Sequence, residues 1–371
     1  MFPLKILRVA ADLYPNVVGG VGLHAHEMSR MQVVMGHDVT VYTCGKSNGT
    51  ISNEAELGYT SQVFKPMIKL LGNSITPDMF FELRNNRHSF DVIHAHSHLY
   101  FSTNLCALVN ELGSSPLVVT NHGLNSQTAP KWFQDLYNLT GTRFTYSAAD
   151  RIICYTDTEK KELISMGVKA NKISVIHNGI NTDHFVPAAS PAYDKRELLW
   201  IGRYAKGKGV DYLIDAFSIL KSRFPGIHLT MVGRGPDKDK IVEKIDRLKL
   251  TQDITLKDFI PNSEIVSLYQ SSSIFVLPSL EEGVPRTILE AMACGIPVVC
   301  TRLPQLVDIV DGSGILVPLR DVDSLVQGIS EILSDASIAR ILGENGRENV
   351  VENYSWTDTV QKTIQLYEEL I

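Results

Sequence analysis

Apolar and polar positions alternate in blocks along this chain. Short apolar runs of four to seven residues recur at 4–10, 37–43, 90–94, 117–120, 151–155 and 173–176. Each has the length and composition of a strand buried on both faces. Between them lie segments with helical apolar spacing, as at 21–35, where Leu23, Met28, Met31, Val34 and Met35 share a face and Gly36 follows. Further helices are expected at 99–112 and 157–166, after Pro77, and as one long helical region over 131–149. The stretch 45–53 reads as a polar loop.

A linker with two prolines, Pro187 and Pro191, occupies 178–194, and the pattern then restarts. Strands are expected at 198–201, 227–232, 254–256, 273–277, 296–300 and 314–317, with helices between them. Closing helices are expected at 324–333, 338–351 and 356–370. Strand-helix alternation with apolar strands is the signature of a parallel sheet, so the fold class is α/β with two Rossmann-like parallel-sheet domains. The domains are expected at 1–177, joined by the helix 356–371 crossing back, and at 178–355. Ligands of such sheets bind beyond the carboxyl ends of the strands, so a cleft between two such domains is the expected site.

Composition narrows the function. A net charge of −6 argues against nucleic acid as the main partner. Residues 1–177 carry 15 basic against 14 acidic side chains, and 178–371 carry 20 against 27, so the first half is the one able to approach an anionic surface. Five scattered cysteines without a C-x-x-C fit a reducing compartment and no metal cluster. No apolar run reaches membrane-spanning length, and no signal-peptide pattern is expected at the start, so a cytoplasmic protein is expected. The segment 64–87 mixes basic and apolar residues, which fits contact with the inner membrane surface or a soluble acceptor equally.

The densest chemistry lies in PSLEEGVPRTILEAMACGIPVVCT at 278–301. It reads as a loop after a strand, then a helix opened by Pro285 and closed by Gly295. Glu282 lies in the loop and Glu290 in the second turn of the helix. Free helix N-terminal amides suit a phosphate, and flanking carboxylates suit hydroxyl groups. The pair therefore points to a phosphorylated sugar or nucleotide, against the alternative of two solvated glutamates.

Other motifs admit competing readings. Gly20-x-Gly22-x-x-Ala25 has the spacing of a dinucleotide turn, but it begins far from the strand and the second strand ends without an acidic residue. A glycine loop near a phosphate is preferred. Gly202-x4-Gly207-Lys208 nearly matches a P-loop, but Gly209 stands where a Ser or Thr would hold Mg²⁺. Arg203 and Lys208 remain as two cations at a strand end, suited to a phosphate leaving group or merely solvated. His94, His96 and His98 alternate as metal ligands could, though the strand ends there. His122 sits just past the next strand, and a structural role is as natural for it as a functional one. Asp321 and Asp323 read as a helix cap. Val232-Gly233-Arg234-Gly235-Pro236 is a strand-to-helix turn.

Seven segments, in order and across nearly the whole chain, resemble the retaining family-4 glycosyltransferases of GT-B fold. They are PNVVGGVGLHAHEMSRMQVVMGHDVTVYT, FDVIHAHSH, VIHNGINTDHFVP, LLWIGRYAKGKGVDYLIDAF, LTMVGRGPD, SSSIFVLPSLEEGVPRTILEAMACGIPVVCT and YSW. The resemblance implies a transferase moving a sugar from a nucleotide diphosphate sugar to an acceptor hydroxyl on a lipid, glycan or small molecule, with anomeric configuration retained. It implies that Arg203 and Lys208 bind the diphosphate, Glu282 the donor sugar hydroxyls and Glu290 the ribose. It implies that Gly20 approaches phosphate, that His122 lies near the transferred sugar, and that Phe259 and Ile260 meet the base. Gly233, Gly283 and the helix-start amides of Thr287 and Ile288 complete the expected donor site. No cofactor is expected, with Mg²⁺ at most accessory, and no protein nucleophile. The chain departs from the family at Pro285, often Gly, and Asn181, often Asp. The rival readings are a GT-B sugar-nucleotide epimerase and a non-catalytic nucleotide-sugar binder.

Overall fold

The structure is a computed structural model, and it describes the chain outside residues 1, 15–19, 53–57, 71, 114 and 124–128. The glycine-loop residues 15–19 of the PNVVGG segment thus lie outside the described residues. Two compact units divide the chain. Unit 1 comprises Met1–Gly179 and Trp356–Ile371, and unit 2 comprises Ile180–Ser355.

Unit 1 opens with β1 (Lys5–Val9), α1 (Gly20–Val34), β2 (Asp38–Cys44), β3 (Gly49–Ser52), β4 (Thr60–Phe64), β5 (Ile68–Leu70) and β6 (Asn73–Ile75). It continues with α2 (Pro77–Asn85), β7 (Val92–His96), α3 (Phe101–Glu111), β8 (Leu117–Thr120) and α4 (Lys131–Tyr137). A π turn (Asn138–Thr142), α5 (Arg143–Ala148), β9 (Arg151–Cys154), α6 (Asp157–Ser165) and β10 (Ile173–Val175) follow. Its sheet has the order β10-β9-β8-β7-β1-β2-β4-β3, parallel except for β3. The chain steps outward from β1 to β2 and then returns to β7 on the other side of β1. Both faces are covered, one by the core around Leu7, Ile93, Leu117 and Ile152, the other by that around Ile6, Met28, Val118 and Val360.

One expectation is corrected here. The supposed polar loop at 45–53 contains β3, which pairs antiparallel with β4 at the sheet edge. An edge strand needs no long apolar run, so periodicity does not betray it. The long helical region expected over 131–149 is present as a continuous run over 131–148, with a π turn inside it where a Cβ on Gly141 would press on the Tyr137 ring.

Unit 2 repeats the architecture with β11 (Glu197–Ile201), α7 (Val210–Arg223), β12 (His228–Val232), α8 (Lys238–Arg247), β13 (Ile254–Lys257), α9 (Asn262–Gln270) and β14 (Ile274–Leu277). Then come α10 (Arg286–Ala293), β15 (Val298–Thr301), α11 (Pro304–Val310), β16 (Gly314–Val317), α12 (Val322–Ser334) and α13 (Ala336–Asn353). The sheet order is β13-β12-β11-β14-β15-β16, all parallel. Trp200, Phe217, Phe275 and Leu289 are fully buried in its core. Asp321 caps α12 by accepting from the Ser324 N–H at 3.0 Å.

The helix α14 (Trp356–Glu368) belongs to unit 1 and packs beside α1. The chain therefore leaves unit 1 once and returns once. The exit and return are adjacent, since Ile180 N donates to Tyr354 O at 2.7 Å and Thr359 Oγ1 donates to His177 O at 2.9 Å.

Candidate functional site

In unit 2 the sheet order reverses between β11 and β14, and in an open parallel sheet that reversal opens a crevice at the carboxyl ends. The two loops bordering it are locked together by backbone. Leu280 N donates to Gly207 O at 2.8 Å. Gly209 is left-handed (φ +63°), and a Cβ there would overlap the Pro278 carbonyl. Gly233, in the loop after β12, has φ +156°, and a Cβ would overlap the Gly202 carbonyl. These glycines are where backbone meets backbone, which is why no side chain fits.

That scaffold places Lys208 Nζ 2.6 Å from Glu282 Oε1. The Glu282 side chain is 7% exposed and the Lys208 side chain 23%. Ser279 Oγ donates to the same carboxylate oxygen at 2.6 Å, and the Gln305 amide holds the Glu282 carbonyl. Glu290 is fixed separately. Tyr269 donates its hydroxyl to Oε2 at 2.9 Å, and Arg286 Nε lies 3.8 Å from Oε1. Burial, with Glu290 beside it, pushes the Tyr269 phenol well up, so it stays a donor. Each carboxylate keeps acceptor positions for a hydroxyl.

The remaining expected donor residues divide. Arg203 is exposed and makes no hydrogen bond or ion pair among the described residues. Gly283 is exposed, with nothing near the position of a Cβ. Phe259 is 60% exposed after β13, whereas Ile260 packs on the core. Thr287 lies in the first turn of α10, and the Ile288 N–H already donates to Pro285 O at 3.1 Å.

In unit 1 the reversal lies between β1 and β7, and histidines gather there. Strand alternation puts His94 and His96 on one face, their rings stacked at 4.6 Å. Ser97 then takes a left-handed turn (φ +62°), and His98 goes elsewhere, with Tyr146 on its Nδ1 at 2.7 Å. The three alternating histidines therefore do not converge. His122, past β8, lies with its Nε2 3.0 Å from His96 Nδ1 and its Nδ1 3.0 Å from the Tyr155 hydroxyl. His24 of α1 completes the group, with Nδ1 2.9 Å from Asn178 Oδ1. Burial drives the His122 pKa down to about 3 and holds His94 and His96 well below the usual histidine range. All three are neutral at pH 7. Gly20 begins α1 and is exposed.

Sequence reasoning missed several members of these groups. Tyr269 and Gln305 lie outside every motif and are identified only by folding, whereas Ser279 lies within 278–301 but its sequence gives no sign that it would bond Glu282. Arg8 did carry a signal, a cation set among the apolar Ile6, Leu7 and Val9 of β1. Its guanidinium is fully buried against His94 and His96.

Comparison with known proteins gives the family and the fold. Residues 18–184 match the family model described as Glycosyltransferase Family 4, and residues 185–349 that described as Glycosyl transferases group 1. An uncharacterized glycosyltransferase of Methanocaldococcus jannaschii is 26% identical over 98% of both chains. The phosphatidylinositol N-acetylglucosaminyltransferase gpi3 subunit of Schizosaccharomyces pombe is 22% identical, covering 98% of this chain and 80% of the relative. Among solved structures, Anabaena HepE in complex with UDP and glucose superposes with a TM-score of 0.82 at 20% identity, over 99% of this chain and all of the other. That likeness gives the fold, which is GT-B. Among the described residues no helix is long and apolar enough to cross a membrane.

Proposed function

The chain belongs to the family-4, group 1 glycosyltransferases and is a transferase, and from that premise we propose that it moves a sugar from a nucleoside diphosphate sugar to an acceptor hydroxyl with retention. The observation that carries the reading is the pair of fixed carboxylates with Lys208 at the unit 2 switch point. Glu282 accepts from the hydroxyls of the donor sugar, and Glu290 from those of the ribose. Lys208 and Arg203 neutralise the diphosphate as it leaves, a role in which one preorganised donor is worth roughly 2.7–4 kcal/mol. Retention follows a same-face reaction in which the departing phosphate accepts the proton of the acceptor hydroxyl, so no protein nucleophile is needed. Neutral His122 suits a hydrogen-bonding role toward the transferred sugar better than that of a charged acid.

UDP is the first nucleotide to try, because the HepE neighbour is described with UDP and glucose. The acceptor hydroxyl is that of a lipid, glycan or small molecule, and the relative named for phosphatidylinositol favours trying a lipid early. The basic and apolar stretch 64–87 supports a place for it at a membrane surface. The reading is tested by incubating the enzyme with UDP-, GDP- and ADP-sugars and an acceptor panel, following nucleoside diphosphate release and the product anomer. Release of one nucleotide with a retained anomer supports transfer. An epimerised donor with no acceptor present refutes it, as does binding without turnover across the panel.

A further inference from the structure

Arg8 has no exposed surface, and among the described residues no carboxylate pairs with it. A buried guanidinium in that position has to distribute its donors over neutral acceptors. Nε donates to Ser29 Oγ at 2.8 Å, and Nη2 donates to Gln32 Oε1. Nη1 reaches His94 Nδ1 at 3.2 Å and His96 Nε2 at 2.8 Å.

Arginine only donates. His96 Nε2 is therefore an acceptor, and the single proton of the neutral ring sits on Nδ1. That nitrogen faces His122 Nε2 at 3.0 Å, so His96 donates and His122 accepts. His122 in turn carries its proton on Nδ1, which faces the Tyr155 hydroxyl at 3.0 Å. The same logic makes His94 Nδ1 an acceptor and sends its Nε2–H to Thr120 Oγ1 at 2.6 Å. Every proton in the row is ordered from the arginine end.

We propose that Arg8 is a positioning residue whose buried guanidinium imposes a one-way hydrogen-bond row, Arg8 to His96 to His122 to Tyr155, and so fixes the tautomer and ring orientation of His122. The effect on catalysis rests on the reading of His122 as a neighbour of the transferred sugar, but the proton order does not. The row also competes with a metal. The ligand nitrogens of His24, His96 and His122 lie within 4.8 Å of one another, a spacing open to a divalent cation. In the row His96 spends its lone pair on Arg8 and its proton on His122, so it has none left to coordinate.

The groups facing His96 and His122 are Arg8 from β1, His94 from β7, His24 from α1, Tyr155 after β9 and, beyond His94, Tyr367 from α14. None is an anion at pH 7. Burial opposes an added proton on both rings, and beyond burial Arg8 and the neighbouring histidines hold His94 and His96 down.

The test is a long-range ¹H–¹⁵N correlation spectrum of the full chain at pH 7.5, with rings assigned through H96Q and H122Q. Both rings are expected as the Nδ1–H tautomer, unchanged by one equivalent of Zn²⁺. An Nε2–H form at either ring in the wild type, or a zinc-induced shift of all three rings, overturns the proposal without needing any variant. Arg8→Lys is expected to preserve the order. Arg8→Met is expected to release His96 into a tautomer mixture and move the acid limb of nucleoside diphosphate release during transfer to higher pH. A folded Arg8→Met protein with the wild-type spectrum overturns it too. A wild type that orders its protons as expected but turns over no nucleotide sugar refutes the proposed function and leaves the row standing.

Discussion

Lys208 and Glu282 form a pair whose two halves are not equally buried, and this asymmetry predicts unequal costs for breaking it. Lys208→Ala leaves the Glu282 carboxylate, 7% exposed, with Ser279 as its remaining side-chain donor among the described residues. Removing one partner of a fully buried pair costs about 3–5 kcal/mol. A hydrogen bond to a charged group contributes about 1.5–3 kcal/mol, and with Lys208 23% exposed the lower figure applies, so ~2 kcal/mol is expected. Glu282→Gln keeps an acceptor for Ser279 and leaves an ammonium that can turn to water, a loss within about 1 kcal/mol. Urea unfolding of the ligand-free proteins measures both. Nucleoside diphosphate at 100 times its Kd should add about 2.7 kcal/mol to the wild type and much less to Lys208→Ala. A Glu282→Gln protein that unfolds at lower urea than Lys208→Ala would refute the reasoning.

The histidines predict a pH dependence. His98 and His122 titrate at about 3 when folded and His94 and His96 well below the usual value, while unfolded histidines titrate near 6.5. The unfolded chain thus binds more protons below about pH 6.5, and unit 1 should lose up to ~1.4 kcal/mol per histidine per pH unit as pH falls. Equal thermal midpoints at pH 7 and 5 would contradict this. Gly233→Ala should abolish nucleotide-induced stabilisation, since the new methyl overlaps the Gly202 carbonyl and must part the two loops; a calorimetric titration decides it. Tyr269→Phe removes the hydroxyl on Glu290 Oε2 and should raise the donor KM about tenfold, the equivalent of 1.4 kcal/mol, with a smaller change in kcat. An unchanged KM would show that Glu290 is held by Arg286 alone.

Much of the fold was legible because buried parallel strands carry continuous apolar runs. Ile274–Leu277 and Val298–Thr301 stand out by composition, and Pro285 and Gly295 mark the helix between them. β3 and the hairpin of β5 and β6 were not legible. β3 is a short edge strand and β5 with β6 a separate two-stranded sheet, both set by backbone pairing rather than by an apolar face. The loop residues Arg203, Lys208 and Glu282 could be singled out because charge at a strand end is a local signal, and Glu290 because it follows a helix start marked by Pro285. Their partners could not, since Tyr269 and Gln305 reach the site from positions that only the folded chain brings near. Arg8 lies between these cases, visible as an anomaly but interpretable only once β7 is known to lie beside β1.

The single exit and return of the chain has a consequence for biosynthesis. Trp356 packs against His24, and Tyr367 bonds His94, so the polar cluster of unit 1 is roofed by a segment that leaves the ribosome after the whole of unit 2. At about 5–20 residues per second, all of Ile180–Ser355 is translated in roughly ten seconds or more. During that interval unit 2 can complete its own core, while unit 1 waits with Arg8 and its histidines open to water. A nascent chain stalled before Trp356, or a fragment ending at Gly179, should expose this cluster to proteases and chaperones. Quality control of this enzyme would then read α14, far from the nucleotide loops in sequence, as the mark that unit 1 has closed.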